Sequence, residues 1–579
     1  MATYEVWAPK AEQLRVQIDG QSYAMAARGG GWWQGTGPGA HGTDYAYLID
    51  DDAKALPDPR SRWQPQGVHG PSRRYDDAAF AWTDSGWTGR QLAGGVVYEL
   101  HIGTFTDAGT FDAAVDRVDH LVALGVDLVE LMPVNAFDGP WGWGYDGVGW
   151  YAVHAPYGGP DGLKRFVDAC HAKGLGVLLD VVYNHLGPSG AYLNPFGPYF
   201  TDRHVTPWGP GVNLDGAGSD EVRRFIVDNA LLWLDAFHLD GLRLDAVHAL
   251  VDDRAIHLLE EMSVAVEALA THLRRPLCLI AESDLNDPKL VTAREANGYG
   301  LDAAWSDDFH HALHSVLTGE RQGYYSDFGA LAALAKTITR VFYHDGNWVS
   351  FRARRHGRPV NTHLTPASRF LGFLQDHDQI GNRAAGDRIS ALLSADRCKV
   401  GAGLLLTSPF TPMLFMGEEW AASTPWQYFT SHPDPALADA VRQGRRAEFA
   451  DHGWAAEEVP DPQDPQTMRR SRLRWAEIDE PAHADVLEFY RKAIAVRRQR
   501  PELTDPRLDA VTVDYSEEAR WLVVTRGGLR VICNLAGHRQ TVPLDGAPRG
   551  VLLASKTGFI YSDGKVELDG DSILVVELA

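Results

Sequence analysis

The chain has 579 residues, 45% hydrophobic and 23% charged, which is the profile of a soluble globular protein too long for a single core. Its formal net charge of −23 argues against nucleic acid and against an anionic membrane surface, since both are met by Lys and Arg. A neutral sugar escapes that objection, and the 18 Trp offer flat apolar faces on which a sugar ring can stack, although many of them belong in the core.

The cysteines at 170, 278, 398 and 533 are scattered and form no CxxC pair. They read as reduced, buried thiols of a cytoplasmic protein. Met1-Ala2-Thr3-Tyr4-Glu5 opens directly into a strand pattern, so no signal peptide is expected. No apolar run reaches the ~18–20 residues of a membrane span.

Residues 1–92 read as β. Leu14, Val16 and Ile18 alternate, and Gly29-Gly30-Gly31, Asp50-Asp51-Asp52 and Pro57-Asp58-Pro59 supply turns. A small β-sandwich is expected, with Trp32 and Trp33 in its core.

From about residue 94 short apolar runs alternate with amphipathic stretches. Val96–Leu100 and Leu128–Met132 are strands flanking an amphipathic stretch from Phe111 to Leu124. A helix with Leu163, Phe166, Val167 and Cys170 on one face leads to the strand Gly176–Asp180. The next helix takes Ser219 as its N-cap and ends before Gly241-Leu242-Arg243-Leu244-Asp245-Ala246-Val247-His248. A helix from about Asp252-Asp253 precedes Leu277–Ala281, and later strands fall near Gly300–Ala304, Phe370–Leu374 and Met413–Met416. Continuous apolar runs mark strands buried on both faces. The economical reading is a (β/α)8 TIM barrel over residues 93–502, with long insertions after its third and sixth strands. A doubly wound open sheet is the alternative, but no GxGxxG follows the first strand. Stretch 457–466, rich in Pro and Asp, reads as a surface loop, and residues 503–579 read as a second β-sandwich.

In such a barrel chemistry sits at the C-terminal ends of the strands. Here those ends carry Asp180 to His185, then Arg243, Asp245 and His248, then Glu282 to Asp284. Later ends carry Asp307 to His311, Gln375 to Gln379, and Gly417 to Trp420. Arg243 and Asp245 share a strand face, and an adjacent guanidinium favours the ionised carboxylate that a nucleophile needs. Taken alone, that pair has a structural ion pair as its alternative reading, the lesser of the two. Glu282 lies one βα unit further on, so the two acids occupy neighbouring strands about 4.8 Å apart. This approaches the ~5–5.5 Å carboxyl separation of a retaining glycosidase. Asp378 would be a third acid, and His185 and His377 donors to sugar hydroxyls. Trp208, in a Pro/Gly-rich insertion, is expected to meet ligand. His310 and His314 stand four apart, but HExxH is absent, so no metal is assigned to them. The Asp307–His311 stretch is instead expected as a loop lining the cleft.

Four segments resemble the α-amylase family of glycoside hydrolases: D-V-V-Y-N-H at Asp180–His185, G-L-R-L-D-A-V-H at Gly241–His248, A-E-S-D at Ala281–Asp284 and F-L-Q-D-H-D at Phe373–Asp378. The resemblance implies Asp245 as nucleophile, Glu282 as acid/base and Asp378 as the third acid. It implies that Asp180, His185, Arg243 and His377 support the sugar at the cleaved bond, and that Tyr145 is an aromatic platform beneath it. Asn184 helps to bind calcium in some members, but no cage of six or more oxygens is spelled out, so neither metal nor cofactor is expected. Asp376 departs from the pattern, which would place Asn there.

Within the family the chain is most similar to members that release trehalose from maltooligosyl trehalose. The similarity is carried by Tyr98–Thr106, Thr206–Pro210, Ala281–Pro288 and Phe415–Trp420. The implied reaction is hydrolysis of the α-1,4 bond next to the terminal trehalose. Trp208 would stack on a ring of that unit, and Asp307, Asp308, His310, His311, Gln379 and Glu419 would bond its hydroxyls. His248 and Asn382 complete the expected substrate contacts. A branching enzyme or general α-amylase is the alternative activity. A non-catalytic glucan-binding protein would have lost one of the three acids, and none is missing.

Overall fold

Eight short parallel strands close on one another into a barrel. In chain order they are β1 (Val97–Leu100), β2 (Leu128–Leu131), β3 (Gly176–Val181), β4 (Gly241–Leu244), β5 (Cys278–Ala281), β6 (Ala303–Trp305), β7 (Phe370–Phe373) and β8 (Thr411–Phe415). β8 pairs back onto β1 through Met413 and Val97, which closes the ring. This computed structural model describes residues 1–450 and 459–579, the side chain of Ala450 excepted.

Every residue of these strands is buried, as expected of strands covered on both faces. The period-2 alternation divides them. Val97, Leu128, Leu178, Cys278, Ile280, Ala303, Trp305, Leu371, Phe373 and Met413 form one cluster, the barrel interior. The alternate residues join the large core shared with the outer helices. Two residues beyond Val97, Leu128, Leu178 and Gly241 on the same faces stand Glu99, Glu130, Asp180 and Arg243, so the apolar interior ends in a charged layer.

The helices that cover the barrel include Gly159–Ala172, Ser219–Asp235, Leu258–Leu273, Asp307–Thr318, Ala395–Thr407 and Pro481–Gln499. Four local expectations need correction. Gly218, left-handed at φ 77°, caps the second of these helices, and Ser219 is its first residue. The helix expected from Asp252 begins at Leu258, with His257 as its cap. Asp252 is instead held outside it by Arg223 and by the backbone N–H of Leu258. β6 starts three residues later than Gly300, because the Gly300 and Leu301 N–H groups are taken by the Thr292 and Leu290 carbonyls. Asp307 to His311 is no loop but the start of a helix, whose first turn holds Asp307 and Asp308 where the dipole favours acid.

Before the barrel, a three-stranded sheet (Ala2–Trp7, Trp32–Gly37, Ala26–Gly29) faces a four-stranded one (Gln21–Ala24, Leu14–Ile18, Asp44–Ile49, Ser72–Arg73). Tyr4 meets Tyr45 across the gap at 5.1 Å between ring centres. Trp32 and Trp33 pack against this core, and Trp33 Nε1 donates to the Ala8 carbonyl. After the barrel, a five-stranded and a three-stranded antiparallel sheet enclose Val523, Ile532, Val542, Val566, Leu574 and Val576. The opposite face of the five-stranded sheet, with Leu522, Val531, Ile573 and Val575, joins the barrel core. Positions 457 and 458 of the expected loop lie outside the described residues; its remainder runs into the helix Pro465–Arg470, capped by Asp464. No described helix is long and apolar enough to cross a membrane.

Candidate active site

Arg243, fully buried on β4, organises the acids. Its Nη1 donates to Asp180 Oδ2 and to Asp245 Oδ1, both at 2.7 Å, and its Nη2 lies 3.7 Å from Glu282 Oε2. The guanidinium sits over the Trp305 ring of β6, 4.4 Å from its centre. Asn184 Nδ2 donates to Asp245 Oδ2 at 2.8 Å and to its carbonyl at 2.9 Å, so both carboxylate oxygens of Asp245 are oriented. Burial pushes the Asp180 carboxyl up to about 7; Arg243 opposes the shift and Asp245 adds to it.

Glu282, at the end of β5, accepts the backbone N–H of Ala246 at Oε2, 2.6 Å away. Burial raises its carboxyl above the ordinary range; Arg243 works against this, and Asp245 and Asp378 reinforce it. Asp378 follows β7 with about half of its side chain exposed, 3.7 Å from His377 Nε2. Asp245 and Glu282, at the ends of β4 and β5, thus share one guanidinium, and Asp378 stands on the turn after β7.

His377 is enclosed. Its Nδ1 lies 2.5 Å from Glu99 Oε1 and its Nε2 lies 2.8 Å from the Tyr145 hydroxyl. The Tyr145 hydroxyl donates to Asp180 at 2.6 Å, and its ring stacks on His377 with 5.0 Å between centres. Asp376 caps the turn carrying His377 and Asp378 by accepting the Gln379 N–H at 2.9 Å. Burial, then Glu99, pushes its carboxyl well above the ordinary range. The Gln379 amide lies against both Asp376 oxygens, so its nitrogen belongs on that side and its side chain is committed to Asp376.

The expected substrate contacts divide. His185 bonds Asn184 through Nδ1 and the Tyr145 carbonyl through Nε2, and Trp208 stacks flat on it at 4.8 Å and 7°. Trp208 is 48% exposed, which leaves much of the ring open. Half-buried His248 and Asp307 stand among the acids; burial and then Glu282 push the Asp307 carboxyl well up. His311 is half-buried and stacks on Tyr324, in a pocket with Asp307, Arg352 and His356.

Four other residues do not present free groups. Asp308 is buried, and its Oδ2 accepts from Asn286 Nδ2 and from the Tyr343 and His344 backbone N–H groups. His310 is buried against Phe373 and paired with the Tyr325 hydroxyl. Glu419 has no exposed surface, and its carboxylate is taken by Tyr98 and His120. These three serve packing because helical phase and strand register turn them inward. Asn382 is exposed but accepts from Arg445.

Sequence reasoning missed Glu99, Glu130, Trp305 and the orienting role of Asn184. The first two carried a signal: each is an acid inside an otherwise apolar strand pattern, which the fold must have a use for. Both Glu130 oxygens are buried without a partner, and burial with Glu99 nearby drives its carboxyl well up. The sequence also gave no sign that His204, Asp215 and Asp253 converge with ligand atoms within 4.8 Å. Arg203 already lies 3.3 Å from Asp215, supplying a positive charge there.

Comparison with known proteins fits this geometry. The profile of the α-amylase catalytic domain matches residues 77–196, and a domain of unknown function matches 506–575. The malto-oligosyltrehalose trehalohydrolase of Mycobacterium tuberculosis is 53% identical, with all of both chains covered. That of Arthrobacter ramosus is 54% identical over 99% of each. A crystal structure described as a putative α-amylase from Salmonella typhimurium superposes with a TM-score of 0.91 at 38% identity, covering 100% of this chain and 97% of that one.

Proposed function

We propose that this chain, which belongs to the malto-oligosyltrehalose trehalohydrolase family of α-amylase-type glycoside hydrolases, cleaves the α-1,4-glucosidic bond next to the terminal trehalose of maltooligosyl trehalose. The products are free trehalose and a maltooligosaccharide. The observation that carries the chemistry is the pair Asp245 and Glu282, on adjacent strands and bridged by Arg243.

In the first step Asp245 attacks the anomeric carbon while Glu282 gives its proton to the departing glycosidic oxygen, so trehalose leaves with that hydrogen. The bond formed is a glycosyl ester on Asp245. Glu282, now ionised, takes a proton from water, whose oxygen attacks the same carbon and frees Asp245. Burial raises the Glu282 carboxyl, the direction in which a general acid holds its proton better than an ordinary glutamate does. Arg243 and Asn184 fix both oxygens of Asp245 for in-line attack. Asp378 faces the positive charge that develops on the sugar, and Tyr145 lies beneath the ring.

The trehalose end differs from a maltose end by its 1,1-linkage, which folds two glucose rings together and removes the reducing hydroxyl. Trp208 and His185, with Asp307 and His311, are the side chains that support recognition of that shape. A site built around particular hydroxyls rejects analogues strongly, because its polar groups would go unpaired.

The test is a product profile on maltooligosyl trehalose, a maltooligosaccharide of equal ring count, and amylose. Trehalose as the disaccharide product, with much lower kcat/KM on the plain oligosaccharide, is expected. Equal rates on the two oligosaccharides would make the enzyme a general amylase, and new α-1,6 branches in amylose a branching enzyme.

A further inference from the structure

We propose that Glu99 is a positioning residue of the hydrolytic site: it holds His377 as an imidazolium whose Nε2–H is given to Tyr145, which leaves the Tyr145 hydrogen for Asp180. The argument is a count of hydrogens. Asp180 Oδ2 faces Arg243 Nη1 at 2.7 Å, so it accepts there, and the Tyr145 hydroxyl approaches the same oxygen at 2.6 Å. A tyrosine hydroxyl has one hydrogen. If that hydrogen goes to Asp180, the 2.8 Å contact between Tyr145 and His377 Nε2 requires the hydrogen to sit on Nε2. The opposite ring nitrogen faces Glu99 Oε1 at 2.5 Å, and a carboxylate there requires a second hydrogen on Nδ1. A ring with hydrogens on both nitrogens is cationic.

Glu99 is suited to this task. It comes from β1, both it and His377 are 1% exposed in their side chains, and its Oε2 accepts the His377 backbone N–H at 3.2 Å. One carboxylate therefore fixes both the main chain and the ring. The groups facing the imidazole come from every neighbouring element. Glu99 is on β1, Glu130 on β2, Tyr145 on the loop after β2, Asp180 on β3, and Asp376 and Asp378 flank it on its own turn. The like charges nearby are Arg243 on β4, which is paired with Asp180 and Asp245, and His101 after β1, which burial pulls down to about 3, so it stays neutral. The Trp143 and Trp305 rings stand edge-on at 5.8 and 6.0 Å. Burial works against the proton on His377, yet Glu99 first, then Asp378, raise it to about 10. Neither Glu99 nor its partner nitrogen is open to substrate, so Glu99 acts only through His377.

The inference rests on the proposed hydrolysis for its activity readout alone. The direct test is 15N NMR of histidine-labelled enzyme without substrate at about pH 8, where an ordinary histidine is neutral. The His377 signal, identified by its loss in His377→Asn, is expected to show both ring nitrogens protonated; a neutral tautomer would overturn the proposal. The second arm is Glu99→Gln. Removing the anion lowers the proton affinity of His377, so kcat is expected to fall by about tenfold or more at about pH 8, the gap narrowing as acid restores the proton. KM should change less than kcat. A loss of kcat by the same factor at every pH would mean a merely structural role. If Glu99→Gln does not fold, the NMR result on the parent decides.

Discussion

The backbone N–H of Ala246 donates to Glu282 Oε2 at 2.6 Å. Ala246 follows Asp245 directly and adopts a left-handed conformation, φ 40° and ψ 51°, which a side chain with a Cβ rarely takes. The turn leaving β4 thereby aims a peptide dipole across to β5. The Glu282 carboxylate is tied to the same turn that carries Asp245, whose own carboxylate is held by Arg243 and Asn184.

Two acids at the ends of adjacent strands that share one guanidinium are expected to act with retention of configuration, since inversion needs room for a water between them. Proton NMR of the earliest product is expected to show the α-anomer at the new reducing end. Early β-anomer would show that water attacks directly, and Asp245 would lose its role as nucleophile.

Asp245→Asn and Glu282→Gln keep shape and remove the ionisable group. Each is expected to lower kcat by roughly 10³-fold or more while circular dichroism and melting stay close to parent. Asn cannot form the glycosyl ester and Gln cannot carry the proton. A purified, folded Asp245→Asn protein with a tenth of parental activity would remove Asp245 from the mechanism.

Asp308 was expected among the specificity contacts, but its carboxylate receives Asn286 Nδ2 and the N–H groups of Tyr343 and His344. Asp308→Ala leaves those buried donors unpaired, at about 1–3 kcal/mol for each that finds no water. A clear fall in thermal or urea stability is expected, with chemistry and substrate preference affected only through the displaced loop. Unchanged stability with a narrowed trehalose preference would reinstate the direct contact.

At the opposite end of the barrel His171 lies between Asp84, 2.8 Å from Nδ1, and Asp240, 3.0 Å from Nε2, with Trp87 stacked on it at 4.3 Å. Burial favours the neutral ring, but the two carboxylates outweigh it and raise His171 above 6.5. A raised histidine contributes stability that is complete below its unfolded value and is lost as pH rises through the folded value. His171→Gln should therefore cost most in melting temperature at about pH 6 and least at about pH 9. A gap that widens toward alkaline pH would mean that His171 is neutral in the fold.

The sequence made the eight buried strands legible, since runs such as Gly176-Val177-Leu178-Leu179 can be satisfied only with both faces covered. It also made the order of acids at the strand ends legible, because strand, turn and helix are written locally. Element starts were less legible: Asp252 is held outside its helix by Arg223, 29 residues away, and β6 is delayed because the Gly300 and Leu301 N–H groups bond to carbonyls of the preceding loop. The roles of Glu99 and Trp305 were decided by barrel closure, which leaves only β8 between β1 and β7, so that Glu99 meets His377 beyond the end of β7, and which sets Trp305 of β6 beneath Arg243. Burial decided the rest. His310, Asp308 and Glu419 look in sequence like any polar residue beyond a strand, and only packing takes up their hydrogen bonds inside the protein. Patterning along a chain records which residues can face each other; which carboxylates share a guanidinium is fixed by contacts between strands, and those exist only once the barrel has closed.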